Sequence, residues 1–414
     1  MVEIAVYLVS LVVVWGGAHL FVAWRLGVPF GPSGRRVVYG LVAIHYALFP
    51  VSMGLRQFGE AVEPMATVID WVAYIGMGAF STLFVLMVIR EVVAFAGRRI
   101  VRWKSGTREV ADPERRRLMK IGVSGGLLTA TAGATGWGVY QARKVPDVVE
   151  VDVPFEDLDE GLEGLRIAQI SDLHVGQTIR RPTVEAIAER VDKLDADLIA
   201  LTGDLIEGKS DLVWSDLQPL LEVETTYGTY FATGNHEYYW DVENWCEKLA
   251  DAGVEVLLND SRVIERNGGR LLVAGCTDYR AGRHIEEHET DPAGTLQQAA
   301  EHELSLLLAH QPPSIHEAAQ AGYDLQLSGH THGGQFWPWN YVVGLVHPFT
   351  AGLGRQDDTW IYVSRGTGYW GPPMRIAAPS EITVLTLREG EPSKQSTRRL
   401  DGDEVAAEYG PNIS

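Results

Sequence analysis

The chain has 414 residues, 46% of them hydrophobic, and a formal net charge of −19 at pH 7, which is too long for one typical domain and ordinary in composition for a folded protein. Charge is unevenly spread: residues 1–144 carry 16 Lys+Arg against 8 Asp+Glu (+8), and residues 145–414 carry 19 against 46 (−27). So acidic a second half excludes nucleic acid as a bulk partner, because non-specific binding neutralises phosphates with Lys and Arg.

Three apolar stretches open the chain, at 4–24, 37–55 and 65–89, each near the ~20 residues that a helix needs to cross a bilayer. A fourth, at 121–140, has no charge but is rich in Gly, Ala and Thr. The predicted organisation is a three-helix transmembrane region (1–95), a basic cytoplasmic loop (96–120) and a fourth transmembrane or signal-anchor helix (121–141). Arg25, Arg35 and Arg36 separate the first two spans, and Glu60 and Glu63, with Arg56 beside them, the next two. Ten basic residues from Arg90 to Lys120 precede the fourth. Basic connections stay in the cytoplasm. The expectation is therefore a multi-pass cell-membrane protein with its second half on the extracytoplasmic face; if 121–140 does not span, that half faces the cytoplasm. Glu114-Arg115-Arg116-Arg117-Leu118-Met119-Lys120 resembles a twin-arginine export signal. It reads equally as a plain basic flank served by general secretion machinery, with the same orientation. His19, His45 and Asp70 lie inside the spans and read as interfacial groups or as pairs within the bundle.

Residues 142–164 read as a linker or a peripheral first strand. The second half then shows apolar runs that each end in a polar turn: 165–170 before Asp172-Leu173-His174, 198–202 before Gly203-Asp204, 229–233 before Gly234-Asn235-His236-Glu237, 304–308 before His310, and 325–327 before Gly329-His330-Thr331-His332. Ligands at the carboxyl ends of several strands converge although far apart in sequence. Helical patterns fall at 182–194, 211–221 and 241–252, and later strands at 254–258, 262–265, 271–274, 360–364 and 382–387. Cys246 and Cys276 read as small buried hydrophobes. Residues 388–414 read as a mobile acidic tail.

This motif order resembles the calcineurin-like metallophosphoesterase superfamily, over about 165–387, and every element of the pattern is present. The stretch Tyr362-Val-Ser-Arg-Gly-Thr-Gly-Tyr-Trp-Gly-Pro-Pro-Met-Arg375 is similar to the membrane-anchored YaeI/YkuE-like phosphodiesterase branch. The resemblance implies an α/β fold, a β-sandwich flanked by helices in α-β-β-α layers, here preceded by an N-terminal transmembrane helix bundle. It implies two divalent metal ions, with Asp204 bridging, Asp172, His174 and His332 on the first, and Asn235, His310 and His330 on the second. Mixed nitrogen and oxygen ligands without thiolate suit Mn, Fe or Zn and do not choose among them. His236 is the expected proton donor to the leaving oxygen, with Glu237 orienting its imidazole. The implied substrate is a phosphodiester or pyrophosphate, possible forms being lipid-linked or resembling UDP-diacylglucosamine. Aromatic residues at 336, 337, 339 and 341 and at 360, 369 and 370 suggest either core packing or an apolar lip at the bilayer. The alternative is a metal-binding envelope scaffold without turnover; a retained proton donor argues against it.

Overall fold

The computed structural model describes residues 2–55, 63–105, 112–391, 396–400 and 404. Two compact units divide the chain, residues 1–140 with 371–374, and residues 141–370 with 375–414.

The first unit is helical: α1 (Val2–Gly27), α2 (Pro32–Leu55), α3 (Glu63–Ser105) and α4 (Pro113–Arg143). Among the described residues, α2 and α3 carry apolar windows long enough to cross a membrane, Pro32–Leu55 and Met65–Ile100; the apolar part of α1 described in this way, Val12–Gly27, is shorter. Large apolar side chains such as Leu41, Ile44, Val68 and Val92 are exposed on these helices, a surface that soluble monomers rarely show in bulk. The expected fourth span at 121–140 lies within α4, which contains no such apolar window; its Gly and Thr residues lower its hydropathy. The basic loop expected over 96–120 is shorter, because α3 continues to Ser105 and α4 begins at Pro113. Arg56, Glu60 and Arg108 lie outside the described residues. His19 and His45 are paired inside the bundle, Nε2 to Nδ1 at 2.9 Å, and the other His19 nitrogen donates to the Trp15 carbonyl at 2.8 Å. Asp70 accepts from Ser52.

The second unit runs β1 (Asp147–Phe155), β2 (Arg166–Ile170), α5 (Arg181–Asp192), β3 (Leu198–Leu201), α6 (Ser210–Leu221), β4 (Thr229–Phe231), α7 (Asn235–Tyr239), α8 (Val242–Asp251), β5 (Glu255–Val256), β6 (Asp260–Arg266), β7 (Gly269–Gly275), α9 (Pro292–Gln297), β8 (Leu304–Leu308), α10 (Ile315–Ala321), β9 (Leu325–Ser328), α11 (Trp339–Val343), β10 (Gly352–Gln356), β11 (Thr359–Val363), β12 (Glu381–Glu389) and β13 (Ser396–Leu400). Two sheets form, in the orders β13-β1-β12-β2-β3-β4-β5 and β10-β11-β9-β8-β7-β6. The motif-bearing strands β2, β3 and β4 are mutually parallel in the first sheet, and β8 and β9 in the second. Parallel neighbours buried on both faces explain why these runs are continuously apolar rather than alternating.

Between the sheets lies one core, in which Val149, Ile167, Leu198 and Leu385 of the first meet Leu271, Leu306, Leu325 and Tyr362 of the second. The outer face of the first sheet is covered by α5, α6 and α8 through Val184, Ile187, Leu217 and Trp245. On the outer face of the second, Leu272 and Leu307 pack with Ala318 of α10. The fold is thus the layered α/β sandwich that the motif order implied. Cys246 and Cys276 are buried and unpaired.

Two expected boundaries move. The segment 142–164 is no linker: β1 pairs in parallel with all nine residues of β12 and antiparallel with β13. The supposed tail contributes β13, while 392–395, 401–403 and 405–414 lie outside the described residues. Alternating charge in β1 (Asp147, Glu150, Asp152) masked its valines, which are buried at Val148, Val149, Val151 and Val153. Burying each valine stabilises by about 1.5–3 kcal/mol, so β1 matters against a net stability of roughly 5–15 kcal/mol. A chain starting at Leu165 is expected to be insoluble or to lose cooperative thermal unfolding by circular dichroism, whereas one starting at Gln141 melts cooperatively. Equal melting of the two would show β1 to be dispensable.

Candidate metal centre

Every predicted ligand sits just past a strand. Asp172 follows β2, Asp204 follows β3, Asn235 follows β4, His310 follows β8 and His330 follows β9. Six non-glycine residues here, Asp172, His174, Asp204, His330, His332 and Gln335, adopt left-handed backbone with φ between 50° and 68°. Each such residue costs roughly 1–2 kcal/mol, and strain of this kind gathers at functional sites. Two glycines let the turns meet. A Cβ on Gly203 would stand 2.5 Å from the Gly234 nitrogen and 2.9 Å from the His310 ring, and one on Gly329 would overlap Ser171 and the Asp172 carboxylate.

The side chains converge. Asp204 Oδ2 lies 3.0 Å from His310 Nε2, 4.0 Å from His174 Nε2 and 3.9 Å from His236 Nε2, while its Oδ1 accepts from the His236 backbone N–H at 2.8 Å. Asp172 accepts from Ser171 Oγ at 2.6 Å and from the His330 N–H at 2.9 Å, and its Oδ1 lies 3.4 Å from His332 Nε2. Three groups with ligand spacing result: Asp172 with His174 and His332, Asp204 with His310 and His330, and His174 with Glu207 and His236.

The chemistry of this donor set fits cations. His310 Nδ1 faces the Thr202 carbonyl at 2.7 Å, which can only accept, so Nδ1 carries a hydrogen and Nε2 is the nitrogen turned to the Asp204 carboxylate. Asn235 Oδ1 is buried without a hydrogen-bond partner. His174 and His332 meet through their Nε2 atoms at 3.1 Å, one ring donating to the other. Electron-rich atoms held this close in a dry site require positive charge between them. The protonation balance agrees. Burial opposes charge on His310, yet Asp204 and Asp172 outweigh it and raise its pKa well above the ordinary value. Burial raises the Asp172 carboxyl and lowers His330, to about 3, and His332.

Glu237 has a different role from the expected one. Its carboxylate accepts the backbone N–H groups of Asp204 at 3.0 Å, Leu205 at 2.9 Å and Gly234 at 2.7 Å, and so braces the turns. Burial first, then the neighbouring Asp204 charge, raises it to about 7. The carboxylate beside the His236 ring is instead Glu207, whose Oε2 lies 2.6 Å from His236 Nδ1 and 3.3 Å from His174 Nδ1. A carboxylate three residues after Asp204 was the available signal. Burial acts to raise Glu207 and to lower His236, but the contacts between them and the Asp204 charge prevail, leaving Glu207 at about 2 and His236 at about 9.

The segment after β11 closes the site from one side. Arg375, 1% exposed, donates from Nη1 to the carbonyls of His332 at 3.0 Å and Arg365 at 2.7 Å, and from Nη2 to His332 Nδ1 at 3.1 Å. It ties the loop after β11 to the ligand turn. Of the predicted aromatic lip, Phe336, Trp360 and Tyr369 are buried in packing, and Trp339, Tyr341 and Trp370 are exposed.

The family model for calcineurin-like phosphoesterases matches residues 165–334. A zebrafish (Danio rerio) transmembrane protein with metallophosphoesterase domain is 35% identical over 321 residues, covering 76% of this chain and 72% of that protein. The chain belongs to the calcineurin-like metallophosphoesterase family. Its cattle (Bos taurus) counterpart is 32% identical over 84% of this chain and 80% of its own length. The metallophosphoesterase YkuE of Bacillus subtilis is 28% identical over 64% of this chain and 93% of its own length. A metallophosphoesterase is a metal-dependent phosphoester hydrolase, and this metallophosphoesterase keeps the donor groups that divalent ions need.

The two glutamates separate by experiment. Glu207→Gln is expected to lower turnover by roughly 10²-fold with little change in chemical denaturation. Glu237→Gln is expected to lose about 1–3 kcal/mol of stability, because it weakens an acceptor of three buried N–H groups. The opposite pattern would return the orienting role to Glu237.

Proposed function

We propose that this metallophosphoesterase is a membrane-held phosphodiesterase or pyrophosphatase in which His236 protonates the leaving oxygen. The observation that carries this reading is the His236–Glu207 pair, Nδ1 to Oε2 at 2.6 Å, beside the ligand cluster. Asp172, His174 and His332 would hold one ion, and Asn235, His310 and His330 the other, with Asp204 reaching both. Two ions of the Mn, Fe or Zn kind would supply Lewis-acid charge for the phosphoryl oxygens and lower the pKa of an attacking water.

The chain's own residues do the rest. Glu207 accepts from His236 Nδ1, so the proton available for transfer sits on Nε2, the nitrogen on the Asp204 side. The Asp204 charge and the Glu207 contact raise its pKa, to about 9 in the metal-free protein, which favours the protonated form. Passing its proton to the leaving oxygen as the bond to phosphorus breaks avoids release of an alkoxide. The site's left-handed turns and buried carboxylates hold these groups fixed before substrate arrives.

The uncovered side chains Trp339, Tyr341, Val342, Leu345 and Val346, in and just after α11, favour a diester with an apolar part, such as a lipid-linked one. The relatives named as transmembrane proteins, together with the apolar windows of α2 and α3, support membrane anchoring. The basic connections put the catalytic unit outside the cytoplasm, by twin-arginine or general secretion machinery, if α4, which carries no apolar window, crosses as a fourth span, and inside if it does not.

Metal-stripped protein is expected to hydrolyse bis-p-nitrophenyl phosphate only after Mn or Zn is restored, and Asp204→Asn to stay inactive. His236→Ala is expected to bind metal normally and to turn over about 10²-fold more slowly. Metal-independent cleavage, or full turnover without His236, contradicts the reading. Orientation is read separately with Asp358→Cys, since Asp358 is fully exposed and both native cysteines are buried. A membrane-impermeant maleimide is expected to label it on intact cells; labelling only after permeabilisation places the unit in the cytoplasm.

A further inference from the structure

Two exposed aromatic rings stand against the proton-donating imidazole. Tyr239, the last residue of α7, has its ring centroid 5.1 Å from that of His236 with the planes at 64°, and Trp370 lies 5.9 Å from it at 71°. Both are contacts of the edge-to-face kind. Yet Tyr239 is 56% exposed and Trp370 55%. Rings that served only to pack His236 would be covered.

Their backbones are held while their faces stay open. Gln335, in the ligand turn, donates from Nε2 to the Trp370 carbonyl at 2.9 Å and accepts the Trp370 N–H on Oε1 at 2.9 Å. Tyr239 belongs to the same short helix as Asn235 and His236. Trp370 is therefore tied to the His332 turn and Tyr239 to the Asn235 turn, with His236 in contact with both. Next to Tyr239 the surface continues as an open hollow of about 220 Å³ that includes Tyr238 and His284; the His284 ring lies 5.7 Å from Tyr238 and 5.8 Å from Tyr239.

A proton donor must come within hydrogen-bond reach of the leaving oxygen. Whatever group that oxygen carries must then emerge beside His236, where these two rings are.

We propose that Tyr239 and Trp370 form a leaving-group subsite that takes a planar apolar group and sets the specificity of the reaction. The subsite rests on the phosphodiesterase reading for its place in the reaction, but its binding preference does not depend on turnover. Each aromatic pairing contributes about 0.5–1.5 kcal/mol beyond simple burial, so two rings give a preference of roughly tenfold. The Trp370 indole offers the larger face and carries the greater share.

The test is calorimetric binding of 4-nitrobenzylphosphonate and of methylphosphonate, neither of which can be hydrolysed, to the full-length protein loaded with Mn. The wild type is expected to favour the nitrobenzyl compound by about tenfold. Trp370→Ala and Tyr239→Ala should each remove severalfold of that preference while leaving methylphosphonate affinity within about twofold, and Trp370→Phe should keep most of it. In parallel, Trp370→Ala should raise KM for bis-p-nitrophenyl phosphate more than it lowers kcat, whereas loss of His236 lowers kcat. Equal binding of the two phosphonates by the wild type, or a preference that survives in both alanine variants, overturns the subsite. An intact aryl preference in a protein that hydrolyses nothing would keep the subsite and overturn the enzyme reading instead.

Discussion

Hydrogen bonds cross between the two sheets at the carboxyl ends of their strands, and the arrangement of the site depends on three of them. Gln169 of β2 donates to the Ser328 carbonyl of β9 at 2.9 Å, His310 after β8 donates to the Thr202 carbonyl after β3 at 2.7 Å, and the His330 N–H after β9 reaches Asp172 after β2 at 2.9 Å. Two of the three use predicted metal ligands. The groups that gather charge are thus also the groups that join the sheets at that end. Below them the sandwich core is apolar and insensitive to register in its chemistry; above them a shift of one residue would turn the ligands away.

This joint explains why the turns carry strain and why the site needs cations. Left-handed backbone at six non-glycine residues costs several kcal/mol in aggregate, and the buried Asp172 and Asp204 carboxylates add a desolvation cost. The described neighbours compensate only in part. Glu237 supports the turns through three backbone N–H groups, and Arg375 holds the opposite rim through His332. The remaining demand falls on the Asp204–His310 contact and the unpartnered Asn235 Oδ1, where divalent ions would bind with folding free energy of their own. His236 stands one residue beyond that cluster, and its proton is kept by Glu207 and Asp204.

The parts legible in sequence were those written locally. An apolar run that ends in Asp-x-His or Gly-His-x-His encodes both a buried parallel strand and the turn chemistry after it, so the layered fold and the convergence of Asp172, His174, Asp204, His310, His330 and His332 could be read. Glu237 and Glu207 were exchanged because adjacency in sequence suggested a pairing that the short helix α7 prevents: it directs Glu237 inward to backbone N–H groups and leaves His236 to a carboxylate from the loop after β3. The strand β1 could be read only as one of two alternatives, because its partners, β12 and β13, lie more than 200 residues away and its acidic residues resemble a linker. Arg375 was visible only as part of a familiar stretch, since a lone arginine in a loop gives no sign that its partners will be carbonyls. In the helical unit, hydropathy marked α2 and α3, while Gly and Thr left α4 without a membrane signature.

The most direct test of this account is anomalous diffraction at the metal edge from crystals of the Mn- or Zn-loaded protein. Two sites are expected, one among Asp172, His174 and His332 and the other among Asn235, His310 and His330, with Asp204 touching both. A single site, or ions centred on Glu207 and His236, would contradict it, because the pair assigned to proton transfer would then be holding metal.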